Sequence, residues 1–435
     1  MLLLGLAIAT PAAAAPREQP NLLVIMTDDQ RAEGTLEVMP KTLRKIGRQG
    51  RTYLEAYTTT PKCCPSRASF FTGRYPHNHR VVSNLATHRL DHSTTVQRLV
   101  RREGYRTGIF GKFLNGWPID VNPPFFDEWA IMNSGYHRAF WNLDGRVRRK
   151  RRYTTDLITD RTVRFLRRAE RDDDQPWLAW VTPYAPHLPS TPAQRDRDAP
   201  LPYLTPTPAM TESDWSDKPE ILDRARGFPG MIATMHDDGR RSLMAVDDLV
   251  ARVMQELRVR RERGRTLVVF TSDNGFLLGE HGGFAGKDLP HPASSRIPLL
   301  VRWPGRIRRG GTSTDPVLNI DVATTLLRAA GVRDETDGRS LLARRPREEL
   351  FLEHGGGRKQ EPDALPIPAW RSLLTPAFRY AEYRDGDEVI GREYYDRAAD
   401  PWELENRAGT LHPTHRELLS ARLAQYAGCA GVTCR

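Results

Sequence analysis

The chain has 435 residues, 39% hydrophobic and 27% charged, a balance that excludes an intrinsically disordered polymer and accommodates one large domain or a large domain plus a smaller one. Its 65 basic residues against 54 acidic ones give a formal charge of +11, which favours anionic partners. Arginine dominates that excess and is spread along the chain, so charge alone assigns no function.

Residues Met1 to Ala15 hold the apolar run Leu2-Leu3-Leu4-Gly5-Leu6-Ala7-Ile8-Ala9, then Thr10-Pro11 and four alanines. This reads as a secretory signal peptide with a small-residue cleavage site, too short to span a bilayer, although it lacks the usual basic residues before the apolar run. A secreted or envelope-exported protein is expected, with no stable membrane span. Asn21-Leu22-Leu23-Val24-Ile25-Met26 reads as a buried parallel strand, delivering Asp28 and Asp29 at its C-terminal end, where open α/β sheets bind ligands. A solvated Asp-Asp turn is the alternative for that pair taken alone.

A helix is predicted over Met39 to Ile46 and an extended piece over Tyr53 to Thr58. Cys63-Cys64-Pro65-Ser66-Arg67-Ala68-Ser69-Phe70-Phe71-Thr72-Gly73-Arg74 follows. Pro65 suits a first helical turn and Gly73 a C-cap, so Cys63 belongs at the helix's positive end, where anions are held. Arg67, one turn on, adds a fixed positive charge. His77 and His79 fall in the next loop, as substrate contacts or as solvated residues. Thr94 to Arg102 reads as a helix, and Arg106 to Gly111 as a strand delivering Lys112.

From Ala139 to Tyr153, two extended runs flank Asp144-Gly145, the signal for a hairpin with a two-residue turn. Its second arm carries Arg146, Arg148, Arg149, Lys150, Arg151 and Arg152, either a polyanion contact or a charged, protected sheet edge. No nucleic-acid reading motif accompanies it. Thr155 to Arg168 is a predicted helix, Pro176 to Thr182 a buried strand with His187 just past its end, and Pro189 to Lys218 a long proline-rich loop. Arg240 to Arg261 forms a long amphipathic helix carrying Asp247 and Asp248 in structural roles. Thr266 to Thr271 is another buried strand, ending in Ser272-Asp273-Asn274-Gly275, with Lys287 shortly after. A strand over Ile297 to Trp303 and a helix from Asn319 to Ala330 complete the larger part. Short extended pieces and a closing helix, Pro413 to Ala427, read as a sheet-plus-helix subdomain. Cys429 and Cys434 are spaced for a small disulfide loop, whereas the adjacent Cys63 and Cys64 could pair only in a strained ring.

The β/α alternation brings Asp28, Asp29, Cys63, Lys112, His187, Asp273 and Asn274 to one rim of the sheet. Three carboxylates and an amide oxygen make a cage for Ca²⁺ or Mg²⁺ rather than a thiophilic metal. With Arg67, Lys112 and Lys287 beside it, the pocket suits a tetrahedral oxyanion ester.

Cys63-x-Pro65-Ser66-Arg67 followed by Thr72-Gly73-Arg74 resembles the signature of the type I, formylglycine-dependent sulfatases of the alkaline phosphatase superfamily. The resemblance implies an alkaline-phosphatase-like α/β fold: a central mixed sheet flanked by helices, with a smaller C-terminal antiparallel-sheet-plus-helix subdomain. With the signal peptide read over 1–15 and the change of texture at about Asp334, it implies a catalytic domain over 16–333 and the subdomain over 334–435. It further implies that Cys63 is converted to Cα-formylglycine by a formylglycine-generating enzyme during export. Asp28, Asp29, Asp273, Asn274 and the side chain at residue 63 match the family's calcium site. Cys63, Arg67, Lys112, His187 and Lys287 match its catalytic and sulfate-binding residues. The aldehyde hydrate would offer one hydroxyl to attack sulfur and a second to expel sulfate, with His187 and Lys287 assisting the leaving alcohol. Asn319-Ile320-Asp321 and the stretch from Tyr395-Asp396 to Asp400-Pro401-Trp402-Glu403-Leu404 also look like the family. Leu114 stands where many members carry a histidine, leaving Asn115, His281 or water as proton acceptor for the second step. Gly-Lys-Phe-Leu-Asn-Gly and Cys-Cys-Pro-Ser-Arg are most similar to the N-acetylglucosamine-6-sulfatase and arylsulfatase branch.

The expected activity is therefore hydrolysis of sulfate esters of sugars or aryl alcohols. A phosphodiesterase or phosphonate monoester hydrolase of the same superfamily is the alternative enzyme. A non-catalytic binder of sulfated polysaccharide, using the basic hairpin with Trp117 or Trp141, is the alternative outside catalysis.

Overall fold

Every residue of β1 (Asn21–Thr27) is buried, and its side chains alternate between two cores. Leu22, Val24 and Met26 pack on one face of the sheet, Leu23 and Ile25 on the other, as a period of two dictates for a strand covered on both sides. The computed structural model describes residues 19–171, 175–225, 229–333, 335–356 and 367–435. The signal peptide expected over 1–15 lies outside them.

Nine further strands share the sheet with β1: β2 (Arg51–Tyr53), β3 (Arg106–Lys112), β4 (Glu128–Met132), β5 (Phe140–Leu143), β6 (Arg146–Arg149), β7 (Trp177–Thr182), β8 (Thr266–Ser272), β9 (Leu299–Arg302) and β10 (Gly311–Ser313). Their order is β10-β2-β9-β8-β1-β7-β3-β4-β5-β6. Five neighbours in the middle, β8, β1, β7, β3 and β4, run parallel. Their C-terminal ends therefore meet on one rim, and Asp273, Asp28, His187 and Lys112 lie at or just past four of these ends. β9 is antiparallel to β8 and β2, and β5 is antiparallel to β4 and β6, which makes the sheet mixed. Helices Cys63–Thr72, Val96–Arg102 and Asn319–Ala329 contribute to one covering layer, and Thr154–Ala169 and Arg240–Val259 to the other.

The predicted Asp144-Gly145 turn is present, with φ of 50° and 86° at its two residues, the left-handed pair that a two-residue hairpin turn requires. The basic second arm is β6, the outer edge of the sheet. The strand β4 carries little sequence signal, since Glu128-Trp129-Ala130-Ile131-Met132 has neither a long apolar run nor clean alternation.

A four-stranded antiparallel sheet follows: β11 (Leu350–His354), β12 (Ala369–Leu374), β13 (Phe378–Asp385) and β14 (Glu388–Asp396), paired in sequence order. The closing helix Pro413–Ala427 packs Leu419 and Leu423 into its core, and Cys429 and Cys434 form the expected disulfide. Among the described residues, no helix is long and apolar enough to cross a membrane.

Candidate active site

Cys63 opens the helix Cys63–Thr72, all of whose residues are buried. Gly73 ends it at φ 70°, where an added Cβ would meet Thr336 at 2.9 Å, so both backbone conformation and packing call for glycine. The helix is pinned from three directions. Ser66 Oγ donates to the Asp273 carbonyl, Asn319 Nδ2 donates to Ser66 Oγ at 3.1 Å, and Thr59 Oγ1 donates to Ser69 Oγ at 2.9 Å. The Asn319-Ile320-Asp321 motif thus positions the Cys63 helix without touching the cysteine. Asp321 caps its own helix by accepting from the Leu318 N–H at 2.9 Å and holds Arg347 at 2.7 Å.

Cys63 Sγ lies 2.8 Å from Lys287 Nζ, 3.6 Å from Asp28 Oδ1 and 3.9 Å from Asp29 Oδ1. Lys112 Nζ reaches Asp28 Oδ2 at 2.6 Å, and Lys287 Nζ reaches Asp29 Oδ1 at 2.6 Å. Arg67 donates from Nε to Asp273 Oδ2 at 2.7 Å and stands 3.6 Å from Asp28 through Nη2. Asp28, Asp29, Cys63, Arg67, Lys112, Asp273 and Lys287 therefore converge here, joined by His187 and Asn274 through Asp29. Asp29 reaches its place at φ 68°, with its N–H donating to Asp273 Oδ1 at 3.1 Å.

Burial opposes ionisation throughout this cluster, and the charges that face each other decide the outcome. Asp28 is held well below the usual carboxylate range, because Lys112, His187, Arg67 and Lys287 outweigh its desolvation. Asp273 goes the other way: burial, then repulsion from Asp28, push it up to about 7. Burial also drives the Cys63 thiol far up despite Lys112 and Lys287, so the unmodified thiol would be a poor nucleophile.

His187 Nδ1 is 2.7 Å from the Leu188 carbonyl oxygen. A carbonyl can only accept, so Nδ1 carries a proton and Nε2, 3.7 Å from Asp29 Oδ2, is the nitrogen that exchanges one at the site.

The donor set fits a hard divalent cation. One carboxylate oxygen from each of Asp28, Asp29 and Asp273 lies within 4.8 Å of the others. Asn274 donates its Nδ2 to Asp29 Oδ1 at 2.7 Å, while its buried Oδ1 has no hydrogen-bond partner. Oxygen ligands of this kind suit Ca²⁺ or Mg²⁺.

Several neighbours went unremarked in the sequence. Lys62 pairs with Asp288 at 2.9 Å, both fully buried, and Trp370 Nε1 on β12 donates to the Asp288 carbonyl at 2.7 Å. These contacts fix the turn that carries Lys287, so the smaller sheet buttresses the site from behind. Removing one partner of such a buried pair costs ~3–5 kcal/mol. The Tyr184 ring lies 5.6 Å from Lys112 Nζ. An acidic residue directly after Lys287 and an aromatic two residues past β7 were the available signals.

Other expectations resolve differently. His281 is bound to Glu212 at 2.8 Å, with its ring centroid 4.4 Å from that of His291 at a tilt of 35°. Asn115 is held by its backbone N–H on Cys64 Sγ at 2.9 Å, which leaves its buried side-chain Oδ1 without a hydrogen-bond partner. His77 bonds Glu353 at 2.7 Å and His79 bonds Ser69 at 3.0 Å, which makes both structural. Trp141 is fully buried in the core and cannot offer a sugar platform, and Trp117 packs at 4.9 Å on Phe113.

A family model described as "Sulfatase" matches residues 20–332. The "Extracellular sulfatase SULF-1 homolog" of Drosophila melanogaster is 36% identical over 357 residues, covering 76% of this chain and 31% of that protein, so the chain spans about a third of that relative's length. N-acetylglucosamine-6-sulfatase of Homo sapiens is 28% identical over 497 residues, covering 100% of this chain and 89% of that protein. Among solved structures, BT4656 in complex with its substrate D-glucosamine-2-N,6-O-disulfate superposes with a TM-score of 0.78 at 22% identity, covering 94% and 97% of the two chains. That likeness speaks to the fold.

Proposed function

The chain belongs to the sulfatase family, and we propose that it is a sulfuric ester hydrolase acting on sulfated sugars or aryl sulfates, with residue 63 as nucleophile after conversion to formylglycine. The observation that carries this reading is the position of Cys63 Sγ, 2.8 Å from Lys287 Nζ and 3.6 Å from an Asp28 carboxylate oxygen, at the N-terminus of a buried helix. A side chain there stands between fixed cations and a hard-metal donor set.

Each residue has a role that its chemistry permits. Asp28, Asp29, Asp273 and Asn274 would hold the divalent cation, Ca²⁺ in the family's pattern, which would stabilise negative charge on the sulfuryl oxygens. The hydrated aldehyde at residue 63 would supply one hydroxyl to attack sulfur and a second whose deprotonation releases sulfate. Lys112 and Lys287 supply positive charge beside the reacting group, and Arg67 holds Asp273 in place while adding its own. His187, through Nε2, delivers a proton to the departing alcohol.

Three carboxylates face three fixed cations, Arg67, Lys112 and Lys287, so the protein groups balance; a divalent cation makes the site net positive, as an anionic ester requires. The division into a catalytic domain over 16–333 and a subdomain over 334–435 is supported by a family match ending at residue 332. Export, supported by the extracellular relative, would bring the chain to the formylglycine-generating enzyme.

Mass spectrometry of the peptide containing residue 63, from protein exported by its native host, tests the nucleophile: an aldehyde is expected, and an unmodified thiol would overturn it. Paired assays on sulfate and phosphate esters of one leaving group test the reaction. A sulfate preference is expected, and a clear phosphate preference would refute the sulfatase reading.

A further inference from the structure

We infer that the basic edge of the large sheet is a second binding subsite for the same substrate, and that this substrate is a sulfated polysaccharide rather than a single sulfated sugar. The inference rests on the sulfatase reading and adds a second contact to it. It comes from register. Lys112 at the end of β3 pairs with Met132 on β4, Met132 with Trp141 on β5, and Trp141 with Arg148 on β6. Lys112 and Arg148 are thus three strand spacings apart, about 14 Å between backbones, along one line across the sheet. β6 runs in the same direction as β4 and β3, so Arg149, Lys150 and Arg151 emerge on the rim that carries Asp28 and Cys63. β4, lying between, ends at the exposed Asn133 and Ser134.

The charge on this edge is uncompensated. Arg138, Arg148, Arg149 and Arg151 are exposed and Lys150 half-exposed, and among the described residues none of them pairs with a carboxylate. The nearby acids are committed elsewhere: Asp160 to Arg152 and Arg252, Asp144 to Arg161. Protection of a sheet edge does not account for the pattern. The basic residues run past the end of β6 and are joined by Arg138 ahead of β5, whereas an edge needs guarding only along its paired length.

A screening length of about 8 Å at physiological salt fixes what this edge can act on. A small ester bound at Cys63 lies too far away to respond to it. An anionic chain long enough to reach from Cys63 to β6 would touch both, and the edge would then add to affinity with the salt dependence of phosphate- or sulfate-type contacts. Sulfated polysaccharide is the polyanion that the catalytic site itself selects.

The test compares Arg148→Gln/Arg149→Gln/Arg151→Gln with the unaltered enzyme on two probes: 4-nitrocatechol sulfate and a heparin decasaccharide. On the aryl sulfate, kcat/KM should stay within about twofold. On the decasaccharide at about 50 mM salt, KM should rise about tenfold or more, and the gap should close at about 0.5 M salt. Equal kinetics on the decasaccharide, or parallel losses on both probes, would overturn the subsite. If the unaltered enzyme hydrolyses neither probe, the sulfatase reading fails by itself. Decasaccharide binding to Cys63→Ala protein, with and without the triple change, still decides the edge: about tenfold weaker binding supports it and unchanged binding overturns it. Duplex DNA bound as tightly as the decasaccharide would also overturn it, by showing an unselective basic strip.

Discussion

Two of the buried charge clusters among the described residues are built for opposite ends. Around Cys63, Asp28, Asp29 and Asp273 face Arg67, Lys112 and Lys287. Beneath the smaller sheet, His291 stands 3.4 Å from Glu393 and 3.5 Å from Glu403, and Glu403 holds Arg379 at 2.7 Å. Glu393 also accepts from the hydroxyls of Tyr383 at 2.6 Å and Tyr395 at 2.7 Å. Both clusters combine acids with bases, so the mixture of charges does not separate them. Access does: the side chains of His187 and Lys287 keep 16% and 11% exposure, whereas His291, Glu393, Glu403 and Arg379 have none. The first cluster also places a nucleophile beside its cations and leaves Asn274 Oδ1 to accept a cation. A guest can enter only the first, and the second holds Lys287's neighbourhood together from behind.

The sharpest way to separate them is to remove one key side chain from each. Cys63→Ala should abolish sulfate-ester turnover, a loss of at least about 10³-fold, with the thermal midpoint close to that of the unaltered protein, because Sγ contacts only groups that already pair among themselves. Steady-state assay beside a melting curve reads both, and retained activity would refute the proposed nucleophile. Glu403→Gln should do the converse. It leaves His291 and Arg379 partly uncompensated in a sealed interior, so urea unfolding should show ~3–5 kcal/mol less stability, while kcat per folded molecule changes little. A large fall in kcat with unchanged stability would mean that the two clusters are one site.

These two clusters also differ in how far the sequence revealed them. The first was legible because Asp28, His187 and Asp273 sit just past the ends of strands whose apolar runs are nearly continuous. Asn21 to Thr27, Trp177 to Thr182 and Thr266 to Ser272 announce themselves, and parallel order then forces their ends together. The second was not, because His291, Arg379, Glu393 and Glu403 come from separate segments whose only link is tertiary packing. Glu393 lies within β14, where alternation marks a strand without saying which acid faces inward. The strand β12 (Ala369–Leu374) shows its role poorly in sequence for a related reason. Its Trp370 is buried against the turn after Lys287, so its value lies in a contact more than 80 positions away in the chain.

A weaker perturbation, pH, should register mainly through the second cluster's effect on stability. Facing Glu393 and Glu403, His291 is raised from 6.5 to about 9 even though burial opposes its charge. Its contribution is therefore fully present below about pH 6.5 and is lost as pH rises through about 9. Glu393 and Glu403 are each lowered to about 2 against the cost of burial, so theirs is present above about pH 4.5 and lost as pH falls through about 2. Unfolding free energy should therefore be flat near pH 5–6 and fall on the alkaline side by up to ~3 kcal/mol. His291→Gln should flatten that alkaline limb relative to the unaltered protein. An identical slope in both proteins would show that His291 is not the group responsible.

The smallest expected effect makes the finest comparison, between Cys63 and its immediate neighbour. Consecutive residues on a helix point about 100° apart, so two adjacent cysteines meet different surroundings. Cys63 turns toward Lys287 and the carboxylates, whereas Cys64 turns toward the loop after β3, accepting at Sγ from the Asn115 N–H at 2.9 Å. Cys64→Ala deletes one buried sulfur and one weak acceptor, so it should cost ~1–2 kcal/mol of stability. It should leave kcat within about twofold, since nothing at Cys64 Sγ touches the reacting groups. Measured alongside Cys63→Ala, it asks whether position within the helix, rather than residue type, selects the nucleophile. A loss of turnover in Cys64→Ala as deep as that in Cys63→Ala would mean that the loop after β3, through Asn115, takes part in the chemistry, and Asn115 would then return as the proton acceptor in place of the histidine that Leu114 displaces.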